Sequence, residues 1–323
     1  REYDEPAYAD YVTRHRENFF ATRRAVRKNR EKYGHRNGQF TLYNRFLMLD
    51  DFGPQGVIYA EAAADVFPAL RRETTQEYQL VDAIAHQIQH AVPRLPDGTL
   101  ARITPDSFTV QSDDLFMANL FNLRAGLALG RKELLDDAIH QAGRFAHYLT
   151  DAETGLYRHA YFTKTGEQAS TIWGRGMGWT MLIDAMLLHK LGDRKDPRLA
   201  AIRRSFRSRC EALLRHQSGD GRWHQVITDP STYKETSCTA MFTFALATGH
   251  RIGILPEEKF AAAAKKGYDG LCSQIDAEGN VTGIVRGTPI FPTPKDYADH
   301  RPRRNDPRGV GAIIWAALAV DRL

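Results

Sequence analysis

The chain has 323 residues, 42% hydrophobic and 26% charged, the profile of a globular protein with room for one large domain or two ordinary ones. Its net charge is +5, but the basic runs lie on a helical pattern (residues 14–36) and in the Pro-rich stretch HRPRRNDPR (300–308). They carry no interleaved aromatic readers, so a nucleic-acid partner is not expected, whereas a modest positive field suits an anionic small molecule.

In chain order, Tyr8 to Tyr33 reads as a long amphipathic helix with Tyr11, Phe19, Phe20 and Val26 among its apolar positions. After the turn at Gly34–Gly38 comes FTLYNRFLMLDD, then a helix from about Pro54 to Phe67 and helical text at 75–92. Ser112 to Leu129 and Lys132 to Leu149 form the next pair, joined at Gly130. Further helices are predicted at 176–191, 197–216, 236–251, 257–272 and 309–322, and alternating strand patterns are nearly absent. The segments 241–249 and 309–320 are apolar on all sides, as expected of helices packed on several faces.

The loops repeat. Asp97-Gly98, Thr154-Gly155, Asp220-Gly221 and Glu278-Gly279 each follow a helix and precede a short mixed stretch: TLARI, LYRHAYF, RWHQVI and NVTGIV. Their spacing is about sixty residues, the length of two helices and two connections. Helix pairs that cannot bury their apolar faces alone must stack. Five or six such units predict an all-α fold, an (α/α)6 barrel formed by one domain over residues 1–323. The N-terminal ends of its inner helices would line one mouth.

The stretch Thr171–Lys190 carries two tryptophans, Trp173 and Trp179, three glycines between them, and Arg175. Glycines that dense oppose a helix interior at about 1 kcal/mol each. Two readings fit: a loop entering a helix start, where backbone approaches a ligand and the indoles offer flat faces to a sugar, or a tight helix-packing turn with core tryptophans. Two acidic pairs, Asp50-Asp51 and Asp113-Asp114, precede inner-helix candidates. Capping accounts readily for one Asp of each pair and less well for the second, which leaves both capping and catalysis open for it. A carboxyl at the mouth of an aromatic cavity, beside another carboxylate, is expected to have a raised pKa and to donate a proton near neutrality. His159, in GLYRHAYF, follows the second turn of the repeat and is either a hydrogen-bonded structural residue or part of a site; Trp223 and His224 are weaker candidates of the same kind.

No HExxH, CxxC, phosphate loop, dinucleotide fingerprint or nucleophile elbow is present, so neither a metal nor an organic cofactor is expected. The three cysteines fit no metal spacing and leave one unpaired in any disulfide scheme. No apolar run approaches the roughly 20 residues of a membrane span. Because the chain opens at Arg1, the compartment stays open: periplasmic or secreted if a signal was trimmed, otherwise cytoplasmic. A monomer or weak homo-oligomer is expected.

Several stretches together resemble glycoside hydrolase family 105, the unsaturated rhamnogalacturonyl hydrolases, with family 88 more distant. They are LDDFGPQG (49–56), SDDLFMA (112–118), GLYRHAYF (155–162) and WGRGMGW (173–179), followed by WHQV (223–226), ETSCTAMFTFALATG (235–249) and NDPRGVGAIIWA (305–316). They lie in order from about residue 40 to Leu323. The resemblance implies an (α/α)6 barrel that removes a 4,5-unsaturated uronic acid from the non-reducing end of lyase-generated oligosaccharides by hydrating its double bond. It implies Asp113 as the acid that protonates C4 and then deprotonates the water adding at C5. Asp51, by its distance from Gly56, is the second acidic residue, with Asp50 a close contender. His159 matches the active-site histidine, and Trp173, Arg175 and Trp179 match the sugar-contacting set; Asp50 and Tyr43 complete the substrate-binding residues. One departure stands out: the usual GRGNG between the tryptophans has Met177 in place of Asn, which bears on a subsite or on the loop's internal hydrogen bonds. The family's activities span pectin fragments, ulvan and arabinogalactan-type side chains, and rhamnose is the aglycone favoured here because it is common among them.

Three rivals remain. An inverting glycosidase could cut saturated uronides with Asp51 and Asp113 as base and acid. A carbohydrate-binding relative would keep the aromatics without the chemistry. A sugar epimerase would need paired cavity histidines, and the twelve histidines are scattered.

Overall fold

The computed structural model describes residues 6–34, 48–61, 75–103 and 108–323. Within these the chain is a toroid of helical hairpins, an (α/α)6 barrel. The helices are α1 (Pro6–Tyr33), α2 (Leu49–Glu61), α3 (Gln76–His86, extended by a π-turn at Gln87–Ala91), α4 (Ser112–Leu129), α5 (Lys132–Leu149) and α6 (Gly174–Leu191). After them come α7 (Pro197–Arg215), α8 (Thr236–Arg251), α9 (Glu258–Cys272), the short α10 (Pro294–Asp299) and α11 (Pro307–Val320).

Helices α2, α4, α6, α8 and α11 pack side by side in that order as the inner layer, with α3, α5, α7 and α9 outside. Sequence explains the division. On α5 only Leu134, Leu135, Ala138, Ile139, Gln141, Ala142, Phe145 and Leu149 are buried, a single stripe at helical spacing. Neighbouring α4 buries residues on every side, from Ser112 to Gly126. One continuous core runs from Phe19 of α1 to Ala319 of α11. The all-round burial expected of 309–320 holds only in part: Ile314 is 57% exposed, because α11 packs on α8 and α9 to one side.

Helix ends follow their signals. Gly130, at φ 69°, stops α4. Asp196 and Asp306 accept backbone N–H bonds at the starts of α7 and α11, each followed by Pro at the first helical position. The start of α2 differs from expectation. It begins at Leu49, not Pro54, so Asp50 and Asp51 form its first turn.

The four glycines of the repeated turns, Gly98, Gly155, Gly221 and Gly279, all have φ between 74° and 87°. Each closes a tight hairpin that returns the chain from an outer helix toward the next inner one, as the bridges Arg94–Leu100, Thr150–Tyr157 and Ile275–Val281 show for three and the Ser218 N–H bond to the Arg222 carbonyl shows for Gly221. Among the described residues seven short strands are present, three of them (β2, β4 and β6) within the mixed stretches: β1 (Thr109–Gln111), β2 (Ala160–Phe162), β3 (Glu167–Gln168), β4 (Trp223–His224), β5 (Lys234–Glu235), β6 (Ile284–Val285) and β7 (Pro302–Arg303). They pair antiparallel as β1-β2-β3, β4-β5 and β6-β7.

Candidate active site

Inner-helix starts converge on a cavity of about 860 Å³. Its wall takes Asp50 and Asp51 from α2, Asp113, Phe116 and Met117 from α4, Trp173, Arg175 and Trp179 at the start of α6, and Arg308 from α11. The partial positive charge of helix N-termini therefore faces the cavity from several directions, a field that favours an anionic ligand. Six sequence-predicted site residues meet here; His159 stands directly behind Asp113, and Tyr43 lies outside the described residues.

Sheet pairing places the histidine. Gln111 of β1 pairs with Ala160 of β2, and one step further the Ser112 N–H donates to the His159 carbonyl at 2.9 Å. Asp113 is the next residue along α4, and its Oδ2 is 3.5 Å from His159 Nε2, at the outer limit of a hydrogen bond. The imidazole is buried between the Trp173 indole, 4.4 Å away centroid to centroid, and Tyr297, whose hydroxyl is 2.6 Å from Nδ1.

The two acidic pairs separate by partner. Asp51 accepts the Met48 N–H at 3.0 Å and so closes its own helix start. Asp50 instead accepts from Arg102 at 2.9 Å. Asp114 is fully buried and receives Nε and Nη2 of the same guanidinium at 2.6–3.0 Å. One arginine thus ties α2 to α4, leaving Asp113 as the α4 carboxyl on the cavity wall.

Their titration follows. Burial raises Asp50, and the Asp113 charge adds to this, against the pull of Arg102. Burial likewise lifts Asp114 to about 6 despite its guanidinium partner. Asp113 runs opposite to the sequence expectation. Burial pushes it up, but the interaction with His159, through hydrogen bonding and charge, and then the positive fields of Arg102 and Arg175 outweigh that and hold it below the ordinary carboxylate value.

The glycines of WGRGMGW also depart from the ligand-approach reading. They are the first turns of α6, packed against its neighbours. A Cβ on Gly174 would stand 2.9 Å from Cys238 Sγ, one on Gly178 would stand 2.7 Å from Met241 Sδ, and one on Gly176 would meet Ser112. The helix-packing alternative therefore describes the glycines, and Trp173, 1% exposed, belongs to the core as well as to the cavity wall. Trp179 is the more open indole, tilted 31° over Phe116 at 4.4 Å. Arg175 is buried, donating Nη1 and Nη2 to the carbonyls of Val285 and Arg286. Met177 is fully buried and its thioether accepts the Tyr157 N–H at 3.3 Å, away from the cavity wall.

Arg102 and Tyr297 escaped sequence reading. Arg102 sits in TLARI, and its nearest signal is the acidic pair twelve residues on. Tyr297 is 138 residues from the histidine it touches. Among the described residues no group of His, Cys, Asp and Glu is arranged to hold a metal ion, and no helix is long and apolar enough to cross a membrane.

The glycosyl hydrolase family 88 model matches residues 2–323. An unsaturated rhamnogalacturonyl hydrolase of Bacillus subtilis is 29% identical over 220 residues, covering 66% of this chain and 62% of that enzyme. An unsaturated 3S-rhamnoglycuronyl hydrolase of an Alteromonas strain is 28% identical over 177 residues, 53% of this chain and 41% of that one. This chain thus matches less than two thirds of the length of either enzyme. A crystal structure of a possible GH105 member from Salmonella enterica superposes with a TM-score of 0.78 at 21% identity, covering 98% of this chain and 81% of that one. The chain belongs to glycosyl hydrolase family 88.

Proposed function

We propose that this protein removes a 4,5-unsaturated uronic acid from the non-reducing end of lyase-generated oligosaccharides by hydrating the double bond. The observation that carries this reading is Asp113: a carboxyl on the wall of an aromatic cavity, 3.5 Å from a buried histidine. The names of the Bacillus and Alteromonas relatives support the substrate class, and both contain a rhamnose element, which favours rhamnose as the sugar released.

In this reading Asp113 gives its proton to C4 of the enol ether, and the ring oxygen stabilises the cation at C5. Water adds at C5 and returns a proton to the same carboxylate. The C5 hemiketal opens, and the hemiacetal left at C1 expels the aglycone hydroxyl. In the free site Asp113 is held low; a uronate entering beside it raises its proton affinity by like-charge repulsion, so the substrate helps load its own acid. Asp50, anchored by Arg102, serves as the second acidic residue in place of Asp51, whose carboxyl caps its own helix. Trp179 and Phe116 supply the apolar face for the sugar ring. We assign residues 1–323 to one catalytic domain.

A second reading has a specific observation in its favour. Asp50 is pushed up and Asp113 down, the divergence that marks an acid and a base, which would suit an inverting cleavage of a saturated uronide. Ultraviolet absorbance of a panel of unsaturated disaccharides, followed after enzyme is added, separates the two. Decay of the conjugated enol signal is expected. A flat trace with sugar released from saturated uronides would transfer the assignment to the inverting hydrolase.

A further inference from the structure

His159 and Tyr297 meet in a small cluster apart from the main core, where Tyr297 packs with Trp173, Val226 and Val285 beneath the cavity. Both side chains are fully buried. The Tyr297 hydroxyl has two described neighbours: His159 Nδ1 at 2.6 Å and the Phe291 backbone nitrogen at 3.2 Å. A backbone N–H can only donate, so the phenol oxygen accepts from Phe291. A phenol carries one proton, and among the described residues Nδ1 is the one neighbour able to receive it. Burial raises the Tyr297 pKa, which keeps that proton on the phenol. A neutral imidazole that accepts at Nδ1 carries its hydrogen on Nε2, the nitrogen facing Asp113.

We infer that Tyr297 is a positioning residue that fixes His159 as the Nε2–H tautomer, making the imidazole a donor to Asp113 and barring it from acting as the base. The opposite tautomer would aim both Nδ1–H and the Phe291 N–H at one oxygen and strand the hydroxyl hydrogen in a buried place, leaving a buried donor unsatisfied. An imidazolium would face the same conflict. The inference rests on the proposed role of Asp113 as the reacting carboxyl. It divides the labour: Asp113 moves the proton, and His159 aims the carboxylate and stabilises it once the proton has gone.

The test combines a spectrum with kinetics on the full chain. Nitrogen-15 NMR of the histidine rings, with His159 identified by the signals lost in His159→Gln, should show a protonated Nε2 and an unprotonated, hydrogen-bonded Nδ1. In Tyr297→Phe that pattern should give way to the other tautomer or a mixture. The kcat on an unsaturated disaccharide should fall on the order of ten-fold or more, the scale expected when an orienting partner of a functional imidazole is lost. KM should change little, because the phenol lies behind the histidine and away from the cavity wall. A protonated Nδ1 in the wild-type protein would overturn the inference, as would a Tyr297→Phe variant with unchanged spectrum and unchanged kcat. If Tyr297→Phe does not fold, the wild-type spectrum still decides the tautomer. A wild-type protein showing the Nε2–H form but hydrating no unsaturated disaccharide would sink the proposed reaction while leaving the tautomer assignment supported.

Discussion

Arg102 holds Asp114 through two of its nitrogens, at 2.6 to 3.0 Å, and the same guanidinium reaches Asp50 on the neighbouring inner helix. The carboxyl at Asp114 is fully buried, so this arginine is the counter-charge that lets it exist there. Arg102→Met should destabilise the protein by about 3–5 kcal/mol, the cost of stranding a buried charge, measured by urea denaturation. A loss below about 1 kcal/mol would mean that Asp114 is neutral or solvated in the folded state.

Asp114 also makes stability depend on pH. Its native value of about 6 exceeds the ordinary 3.8, so the folded protein binds this proton more tightly than the unfolded chain. The contribution is complete below the ordinary value and is lost as pH rises through the native one. Thermal melts between about pH 4 and pH 6 should therefore show a falling component in the wild type that is absent from Asp114→Asn. Identical slopes in the two proteins would contradict the assignment.

Asp113→Asn should abolish turnover and leave the melting temperature close to wild type. The pH profile adds a stricter test. Because Asp113 is held low in the free protein and must be protonated to act, kcat/KM should fall as pH rises. Replacing His159 with Gln removes the bond that lowers Asp113, and the falling limb should move to higher pH. An unmoved limb would point to another group, Asp50 first.

The indoles should behave differently. Trp179→Ala should weaken substrate binding by about 1–3 kcal/mol, the range for losing one large aromatic contact, while the fold survives. Trp173→Ala should instead cost about 3–5 kcal/mol of stability, since Trp173 is 1% exposed and packs on His159. Equal effects of the two substitutions on affinity would restore Trp173 as a stacking platform.

How far the sequence carried these conclusions depended on range. The ends of α4 and α5 were readable because Gly130 and the apolar period are local signals. The start of α2 was not: Pro54 suggested a beginning, yet the helix tolerates it five residues in, where one backbone bond is missing. The sequence left the glycines of α6 open between a ligand-facing loop and a packing turn, because what decides it lies in Cys238, Met241 and Ser112, distant in sequence. The acidic pairs announced a site, but which member faces it depends on Arg102 and Met48. The sign of the Asp113 shift turned on a histidine 46 residues away, whose placement beside it follows from a three-residue strand.

Met177 gains its meaning from the bond it accepts. Its sulfur holds the Tyr157 amide, two residues before His159 in the segment that leads into β2. An exchange at this position is thus transmitted along the main chain to the imidazole, bypassing the bound sugar. Among homologues, variation at 177 should track changes in the GLYRHAYF segment and reaction rate, and it should be uninformative about which glycan each one degrades. Taste for a particular saccharide is better sought where side chains end on open space, at Trp179, Thr288 and Arg308.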